Sequence, residues 1–132
     1  MTLYALNEAG EKVTATPGAV GHCTCGAFMR AKCGQVYVWH WSHEGTDCDP
    51  WQESETEWHR WWKGRARPDC CEVPLPPHRA DIRRDDGYVI ELQHSAISVD
   101  EIRERERFYK TIAWIFDAAP FRERLLRPLL PS

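Results

Sequence analysis

Two carboxylates and one side-chain amide form the pattern that most directly suggests chemistry: Asp81, Glu91 and Gln93. They lie in two strand-like segments separated by Asp85-Asp86-Gly87, a three-residue turn in which the glycine can take a positive φ. With a turn of that length, Asp81 faces Glu91 directly across an antiparallel pair. Side chains two residues apart on a strand share a face, so Gln93 is predicted to lie beside the two carboxylates.

This arrangement predicts a site for a hard divalent cation. Directly opposed residues have Cβ atoms roughly 4.5–5.5 Å apart, a separation at which two carboxylates repel each other unless a cation lies between them. Mg²⁺ or Mn²⁺ bound by Asp81 and Glu91 could polarise a phosphoryl oxygen and help to generate hydroxide, which is the chemistry of phosphodiester hydrolysis. Gln93 could orient the water by hydrogen bonding, although it lacks the positive charge of a lysine.

The sequence leaves two alternatives to this interpretation. A two-residue Asp86-Gly87 turn would place Asp81 opposite Leu92 and would separate the carboxylates. Even in the first register, the polar face of the hairpin could simply meet water, because short acidic patterns are common. Two acids and a glutamine at this spacing are a weak signal on their own.

A helix predicted over residues 53–64 brings three further polar side chains onto one stripe. Glu55, His59 and Lys63 are four residues apart, so an acid, an imidazole and a cation could line the same cleft. The alternative is a solvated stripe with ordinary ion pairs, which are common and contribute little.

A second helix is predicted over residues 98–110, where Ser98 and Glu101 form a capping box. Arg105 falls on the same face as Tyr109, in the middle of the stripe that should be buried. A buried cation needs a partner, so Arg105 could pair with the hairpin carboxylates or hold a phosphate. The alternative is that its aliphatic stem covers the core while the guanidinium reaches water.

The first 50 residues contain a set of soft and borderline metal ligands. Six cysteines occur in the whole chain, and the acid-rich, Trp-rich composition favours reduced thiols over a disulfide framework. The predicted structural Zn²⁺ ligands are Cys23, Cys25, His43 and Cys48. Because the spacing is irregular, buried free cysteines are the alternative.

The predicted elements indicate an α/β fold with two parts. Residues 1–50 form a small Cys- and His-rich β element that includes a strand-like run at 36–39, and residues 51–132 form the core. Prolines make residues 65–78 an irregular connector, and the face of the first helix that carries Trp58, Trp61 and Trp62 is predicted to be buried. The core order is helix, β-hairpin, helix and buried strand, at residues 53–64, 79–84 with 88–93, 98–110 and 111–116.

Composition limits the choice of partners. A chain of 132 residues with 42% hydrophobic residues can bury one modest core, and its formal net charge of −3 means that any nucleic-acid contact must be local. Arg60, Lys63, Arg65 and Arg67 form one local basic cluster. No segment has the length of a membrane span or the apolar core of a signal peptide, which predicts a cytoplasmic protein. The segment 122–132 is a candidate interface for a homo-oligomer or a larger complex.

Several ordered blocks resemble the competence protein CoiA-like family. His40-Trp41-Ser42-His43 is similar to its HFAH element, and Glu55-Thr56-Glu57-Trp58-His59 with Lys63 is similar to its helix motif. The closest likeness is Arg79-Ala80-Asp81-Ile82 followed by residues 90–98 (IELQHSAIS). Arg105 and Tyr109 fit its R-x-x-x-Y, and Trp114-Ile115-Phe116 fits its closing strand.

This resemblance implies a PD-(D/E)xK, restriction-endonuclease-like core and a metal-dependent nuclease acting on DNA. Asp81 and Glu91 would bind the metal, and Gln93 would stand where the superfamily has a lysine. Glu55, His59 and Lys63 would complete the catalytic site, while Arg79, Arg105 and Tyr109 would contact the substrate. The glutamine also leaves open a non-catalytic nucleic-acid-binding or protein-interaction module on the same fold.

Overall fold

Two β-sheets and two α-helices make up the part of the chain that the computed structural model describes, residues 2–45 and 47–119. The protein is therefore mixed α/β, as the sequence predicts. The candidate interface at residues 122–132 lies outside the described residues. Neither described helix has the length and apolar character needed to cross a membrane.

The first sheet is formed entirely by the Cys-rich element. Its strands pair antiparallel in the order β2-β1-β3-β4-β5. Trp41 and Met29 are fully buried beneath it, and a Cβ at Gly21 would come within 2.9 Å of a backbone oxygen, so only glycine fits there. The strands are β1 (Tyr4–Leu6), β2 (Lys12–Thr14), β3 (Val20–His22), β4 (Phe28–Lys32) and β5 (His40–His43).

The strand-like run at residues 36–39 is not a strand, and that prediction is wrong. Val36 is 86% exposed and Tyr37 is 77% exposed. These residues belong to the loop that connects β4 to β5, beyond the last residue pair of that ladder, Lys32 with His40. The apolar composition of the run is typical of a strand, but no neighbouring strand pairs with it among the described residues.

The second sheet is mixed and has the strand order β6-β7-β8-β9. The first three strands are antiparallel, and β9 pairs parallel with β8 because helix α2 crosses between them. The elements are α1 (Glu57–Lys63), a 3₁₀ turn at Pro68–Cys70, β6 (Cys71–Leu75), β7 (His78–Arg83), β8 (Val89–Gln93), α2 (Val99–Tyr109) and β9 (Ile112–Phe116).

Strand β6 lies within the segment that the sequence predicts to be an irregular connector. The connector prediction is wrong, since residues 71–75 form a strand at the edge of the second sheet. Pro74 opposes Arg79 in the ladder, and an edge position tolerates the missing amide of proline. Strand β9 is also an edge strand, and most of its residues are only partly buried, so it is not the fully buried strand that its apolar composition predicts.

The β7–β8 hairpin has the three-residue turn predicted from the sequence. Ile82 pairs with Ile90, the Arg84 amide donates to the Tyr88 carbonyl over 2.8 Å, and Gly87 has a φ of 87°. The two-residue turn is thereby excluded. In this register Asp81 and Glu91 come next along the two strands.

Helix α1 is shorter than predicted and buries a different face. It begins after Thr56, whose hydroxyl accepts from the His59 amide. His59 and Lys63 are buried, whereas Trp61 is 51% exposed. The predicted tryptophan core on this helix is therefore wrong, and the polar stripe is not solvated either. Ion pairing makes burial of that stripe feasible.

Candidate functional site

Asp81 and Glu91 lie where β7 and β8 cease to pair through their backbones. Beyond the Ile82–Ile90 pair, the Asp81 amide donates to Glu91 Oε2 over 3.0 Å. In return, the Leu92 amide donates to Asp81 Oδ2 over 2.9 Å. Each carboxylate thus accepts a hydrogen bond from the opposite strand, which fixes both side chains at one point. They are nearly enclosed, with Asp81 8% and Glu91 1% exposed.

The Glu91 carboxyl group is buried and lies near a second carboxylate, that of Asp81. Burial, followed by repulsion from Asp81, raises the pKa of Glu91 well above its ordinary value. Arg105 opposes this effect, since its Nη1 lies 3.4 Å from Glu91 Oε1. The guanidinium also donates to the Trp51 carbonyl and to Glu101. The structure therefore brings Arg105 to the hairpin carboxylates.

Lys63 binds a second pair of carboxylates, those of Glu55 and Glu72, next to this site. Its Nζ donates to Glu55 Oε2 and to Glu72 Oε2, each over 2.9 Å, and the residue is 1% exposed. Although burial acts in the opposite direction, attraction by the surrounding carboxylates raises the pKa of Lys63 above its ordinary value. Asp81 is one of these carboxylates. Lys63 therefore remains a buried ammonium close to the hairpin.

The buried cluster holds more carboxylates than cations. Burial raises the pKa of Glu55, as it does that of Glu91, so the cluster can offset the excess either by taking up protons or by binding a cation. Four carboxylates and two cations, each at most 8% exposed, carry a formal charge of −2 when all are ionised. Carboxylate oxygens are hard ligands, and a divalent cation would neutralise that excess. Glu55 Oε1 is buried and has no hydrogen-bond partner among the described residues. The members are Glu55, Lys63, Glu72, Asp81, Glu91 and Arg105.

Gln93 and His59 lie in an adjoining network organised by Glu53. Gln93 Nε2 donates to the Ser95 carbonyl over 3.0 Å and lies 3.4 Å from Glu53 Oε2. His59 Nε2 lies 2.7 Å from Glu53 Oε1. The His94 amide and the Ser95 amide and hydroxyl also donate to Glu53. This carboxylate therefore ties the segment after β8 to the approach to α1.

Replacing Glu53 with glutamine is expected to lower the free energy of unfolding by about 1.5–3 kcal/mol near neutral pH, because charge-assisted hydrogen bonds are lost. Although burial opposes it, hydrogen bonds led by that of His59 lower the pKa of Glu53 from 4.5 to about 2. Since the folded-state pKa is the lower one, this stabilisation is present above the unfolded pKa and is lost as pH falls towards 2. Urea denaturation at several pH values should show that the difference in free energy of unfolding between the wild type and Glu53→Gln becomes smaller in acid. A pH-independent difference would contradict this assignment.

Arg79 and Tyr109 do not lie where a substrate contact would be expected. Arg79 is 4% exposed, and its Nη1 lies 3.3 Å from Cys23 Sγ and 3.1 Å from Cys48 Sγ. The Tyr109 hydroxyl donates to the Arg79 carbonyl over 3.2 Å. Arg79 reaches the cysteines because β7 begins against the Cys-rich element, and Tyr109 contacts Arg79 from α2. Arg79 thus links the cysteines to the strand that carries Asp81.

The four predicted zinc ligands converge in the structure. The ligand atoms of Cys23, Cys25, His43 and Cys48 all lie within 4.8 Å of one another. Cys25 Sγ is 3.2 Å from His43 Nε2, and His43 Nδ1 lies 2.9 Å from the Glu44 carbonyl. Three thiols and an imidazole are a ligand set typical of structural zinc. This cluster could hold a metal ion such as zinc.

The thiols in this cluster differ in acidity. Burial acts to raise the pKa of Cys25, but the hydrogen bond with His43 lowers it to about 7. Burial raises the pKa of Cys48 to about 12, against the attraction of Arg79. The thiolate is the form that binds metal, so the hydrogen bond with His43 favours the form of Cys25 that would coordinate an ion.

Two of the four cations of the predicted basic cluster, Lys63 and Arg67, pair with carboxylates, whereas Arg60 and Arg65 are exposed. Lys63 is buried among carboxylates, and Arg67 pairs with Asp69 and Asp85. Arg65 stacks over the ring of Trp61, with its guanidinium carbon 3.2 Å from the ring centre. These contacts reduce the charge that this surface can offer to a phosphate backbone.

Two residues of the site were not identified from the sequence. Glu72 lies in β6 across from Asp81, between the Cys71–Ile82 and Val73–Ala80 pairs, and was missed because β6 was interpreted as a connector. Glu53 is not identified because it lies off the stripe at residues 55, 59 and 63 of the predicted helix, whereas in the structure it precedes α1. The acids at 53 and 55, just before Thr56, were the available signal.

Comparisons with known proteins do not place the chain in a family: no family model, curated protein or solved structure matches it. Functional inference therefore depends on the residues and on the geometry described above.

Proposed function

We propose that this protein is a metal-dependent DNA nuclease that hydrolyses phosphodiester bonds with Mg²⁺ or Mn²⁺ held by Asp81 and Glu91. The observation that carries the proposal is the buried cluster of four carboxylates and two cations, which offers hard oxygen ligands in excess of its own cations. Two of its carboxylates are fixed by opposite strands at the point where the ladder opens. When bound, the metal would polarise the phosphate and lower the pKa of the attacking water.

The order of elements supports a PD-(D/E)xK core. Helix α1 is followed by three antiparallel strands, helix α2 and a parallel strand. The carboxylates lie on the second and third of these strands. This is the helix, hairpin, helix and strand order expected from the sequence, with β6 added before the hairpin.

The other side chains have distinct roles in this proposal. Lys63 supplies the positive charge that Gln93 lacks, since its ammonium binds Glu72, which lies across from Asp81 in the β6–β7 ladder. Gln93 orients water through its amide, and His59 holds Glu53, which positions the segment after Gln93. Arg105 keeps Glu91 in place and offsets part of the negative charge. Glu55 retains a free oxygen for a water or a metal.

Zinc at the Cys-rich cluster is a separate part of the proposal. Purified protein is expected to contain about one zinc ion per chain, because three thiols and one imidazole complete a tetrahedral site. Replacing Cys48 with serine should abolish this stoichiometry and lower the thermal stability of the Cys-rich element. Cys33→Ser is the matched control, since Cys33 lies outside the cluster. Elemental analysis that finds no zinc in the wild type would contradict this assignment.

A non-catalytic module is the second candidate, and two observations favour it. Gln93 replaces the superfamily lysine, and the hairpin carboxylates are almost closed to solvent. Such a module would keep the fold and bind nucleic acid or a protein without hydrolysis. The binding of the Lys63 ammonium to Glu72, which lies across from Asp81 in the β6–β7 ladder, is the reason that we prefer the catalytic function.

A cleavage assay separates the two candidates. Labelled single- and double-stranded DNA are incubated with the wild type and with Mn²⁺, Mg²⁺ or neither. The nuclease hypothesis predicts cleavage of at least one DNA form that depends on the added metal. Intact DNA under all conditions, with correctly folded and zinc-replete protein, would favour the non-catalytic module.

A further inference from the structure

One face of the first sheet carries two exposed cations, Arg30 and Lys32, at alternate positions of strand β4. Residues 12–43 contain three cations and no acidic residue, within a chain whose formal net charge is −3. Lys12 donates to the carbonyls of Pro68 and Cys71. Arg30 and Lys32 are exposed, and neither forms an ion pair among residues 2–45 and 47–119. Their charge is therefore available to an anionic partner.

These two cations share one face of the sheet with apolar and aromatic groups. Arg30 opposes Val20 in the β3–β4 ladder, and Val20 is 59% exposed. The Arg30 guanidinium lies 5.7 Å from the ring centre of Phe28, two residues away on the same strand. An open hollow of 440 Å³ is lined by these side chains and by Lys32. This volume falls within the range of ligand-binding clefts.

Exposed rings extend this surface at one end. The Lys32–His40 pair closes the β4–β5 ladder, so the loop at residues 33–39 projects from the end at which Lys32 lies. In that loop Tyr37 is 77% exposed and Trp39 is 42% exposed. Nothing in the described core uses the Tyr37 ring. Clustered exposed rings of this kind are characteristic of binding surfaces.

We propose that this face of the first sheet, with the loop at residues 33–39, binds single-stranded nucleic acid. Arg30 and Lys32 would contact phosphates, and Tyr37 and Trp39 would stack on bases. The faces of bases are accessible to such rings in a single strand but not within a duplex. This inference rests on the proposed function for its biological setting, since it would deliver a DNA strand to the nuclease. The binding itself is inferred only from the two exposed cations and the two exposed rings, and it does not depend on nuclease activity.

The test measures binding of fluorescein-labelled dT20 by anisotropy, with zinc-replete protein, no added Mg²⁺ or Mn²⁺, and several salt concentrations. The Arg30→Gln/Lys32→Gln variant should bind at least about tenfold more weakly, and its log Kd should depend on log salt with a slope smaller by about 1.4. The matched control is Arg103→Gln/Arg107→Gln, which removes two exposed cations from α2. That control should bind like the wild type.

Stacking is tested separately at Tyr37. Tyr37→Ala should weaken binding by about fivefold or more, whereas Tyr37→Phe keeps the ring and should bind like the wild type. The inference is overturned if the wild type fails to bind dT20 or binds a duplex of equal length as tightly. It is also overturned if the Arg30→Gln/Lys32→Gln variant loses no more affinity for dT20 than the Arg103→Gln/Arg107→Gln control. Cleavage is scored independently: binding without cleavage contradicts only the nuclease function, and cleavage without patch-dependent binding contradicts only this inference.

Discussion

Asp81→Asn is expected to reduce the rate of Mn²⁺-dependent DNA cleavage by at least about a thousandfold. Asparagine keeps an oxygen that can accept from the Leu92 amide, so the strand junction should survive. The substitution removes one of the two proposed anionic metal ligands, and metal-assisted stabilisation of a phosphoryl transition state contributes several kcal/mol. A loss of about 4 kcal/mol corresponds to roughly a thousandfold in rate. Single-turnover cleavage at saturating protein measures this effect.

Asp86→Asn is the matched control for this experiment. Asp86 lies in the turn of the same hairpin and pairs with Arg84 at the surface, where an ion pair contributes little. Its cleavage rate should stay within about twofold of the wild type. Equal cleavage by wild type and Asp81→Asn would contradict the assignment of the metal site, whereas loss in both variants would indicate damage to the hairpin.

Lys63→Met is expected to lower the free energy of unfolding by about 3–5 kcal/mol. Methionine fills most of the same volume but leaves Glu55 and Glu72 facing each other without their shared cation. Removing one partner of a buried ionic cluster has a cost of this size. Glu72 also accepts hydrogen bonds from the Leu3 and Tyr4 amides, so disruption should extend to the first sheet. Urea denaturation followed by tryptophan fluorescence measures the change.

Arg60→Met provides the comparison for Lys63→Met. Arg60 is an exposed cation on the same helix, and its replacement should change the free energy of unfolding by no more than about 0.5 kcal/mol. Adding Glu55→Gln to Lys63→Met should restore part of the lost stability, because one unpaired buried charge is removed. Equal stability of the two single variants would refute the buried ion cluster.

The hairpin could be predicted from the sequence because local rules determine it. The length of the turn is set by Gly87, whose φ of 87° suits glycine, and alternation along the strands then places Asp81 against Glu91. The convergence of Cys23, Cys25, His43 and Cys48 was also predicted from the sequence, because soft metal ligands are concentrated in this short element. In both cases the chemistry of the side chains restricts the geometry.

The burial of α1 could not be predicted in the same way. Trp58, Trp61 and Trp62 have helical spacing and high hydrophobicity, which favours a core face. The structure buries His59 and Lys63 instead, because their partners come from residues before the helix and from β6. Glu53 and Glu72 lie only six and nine residues away from the side chains that they bind, but Glu72 belongs to a proline-rich segment that is predicted to be a connector. Tertiary pairing of charges therefore outweighs the periodicity of the helix.

The location of Arg79 shows a similar limit. The family-like motif groups it with Asp81, yet its long side chain reaches the cysteines of the other sheet. Only the packing of β7 against the Cys-rich element determines this direction. A motif in sequence identifies neighbours along a strand, whereas the direction of a flexible side chain depends on what surrounds it.

A crystal structure with Mn²⁺ and a hydrolysis-resistant single-stranded DNA analogue would test the central claim most directly. Anomalous scattering should place a manganese ion in contact with carboxylate oxygens of both Asp81 and Glu91 and with a phosphate oxygen of the DNA. The contacts from the Leu92 amide and Arg105 should rearrange to free those oxygens. DNA bound in the crystal with manganese absent from this pair of carboxylates would contradict the proposed nuclease site.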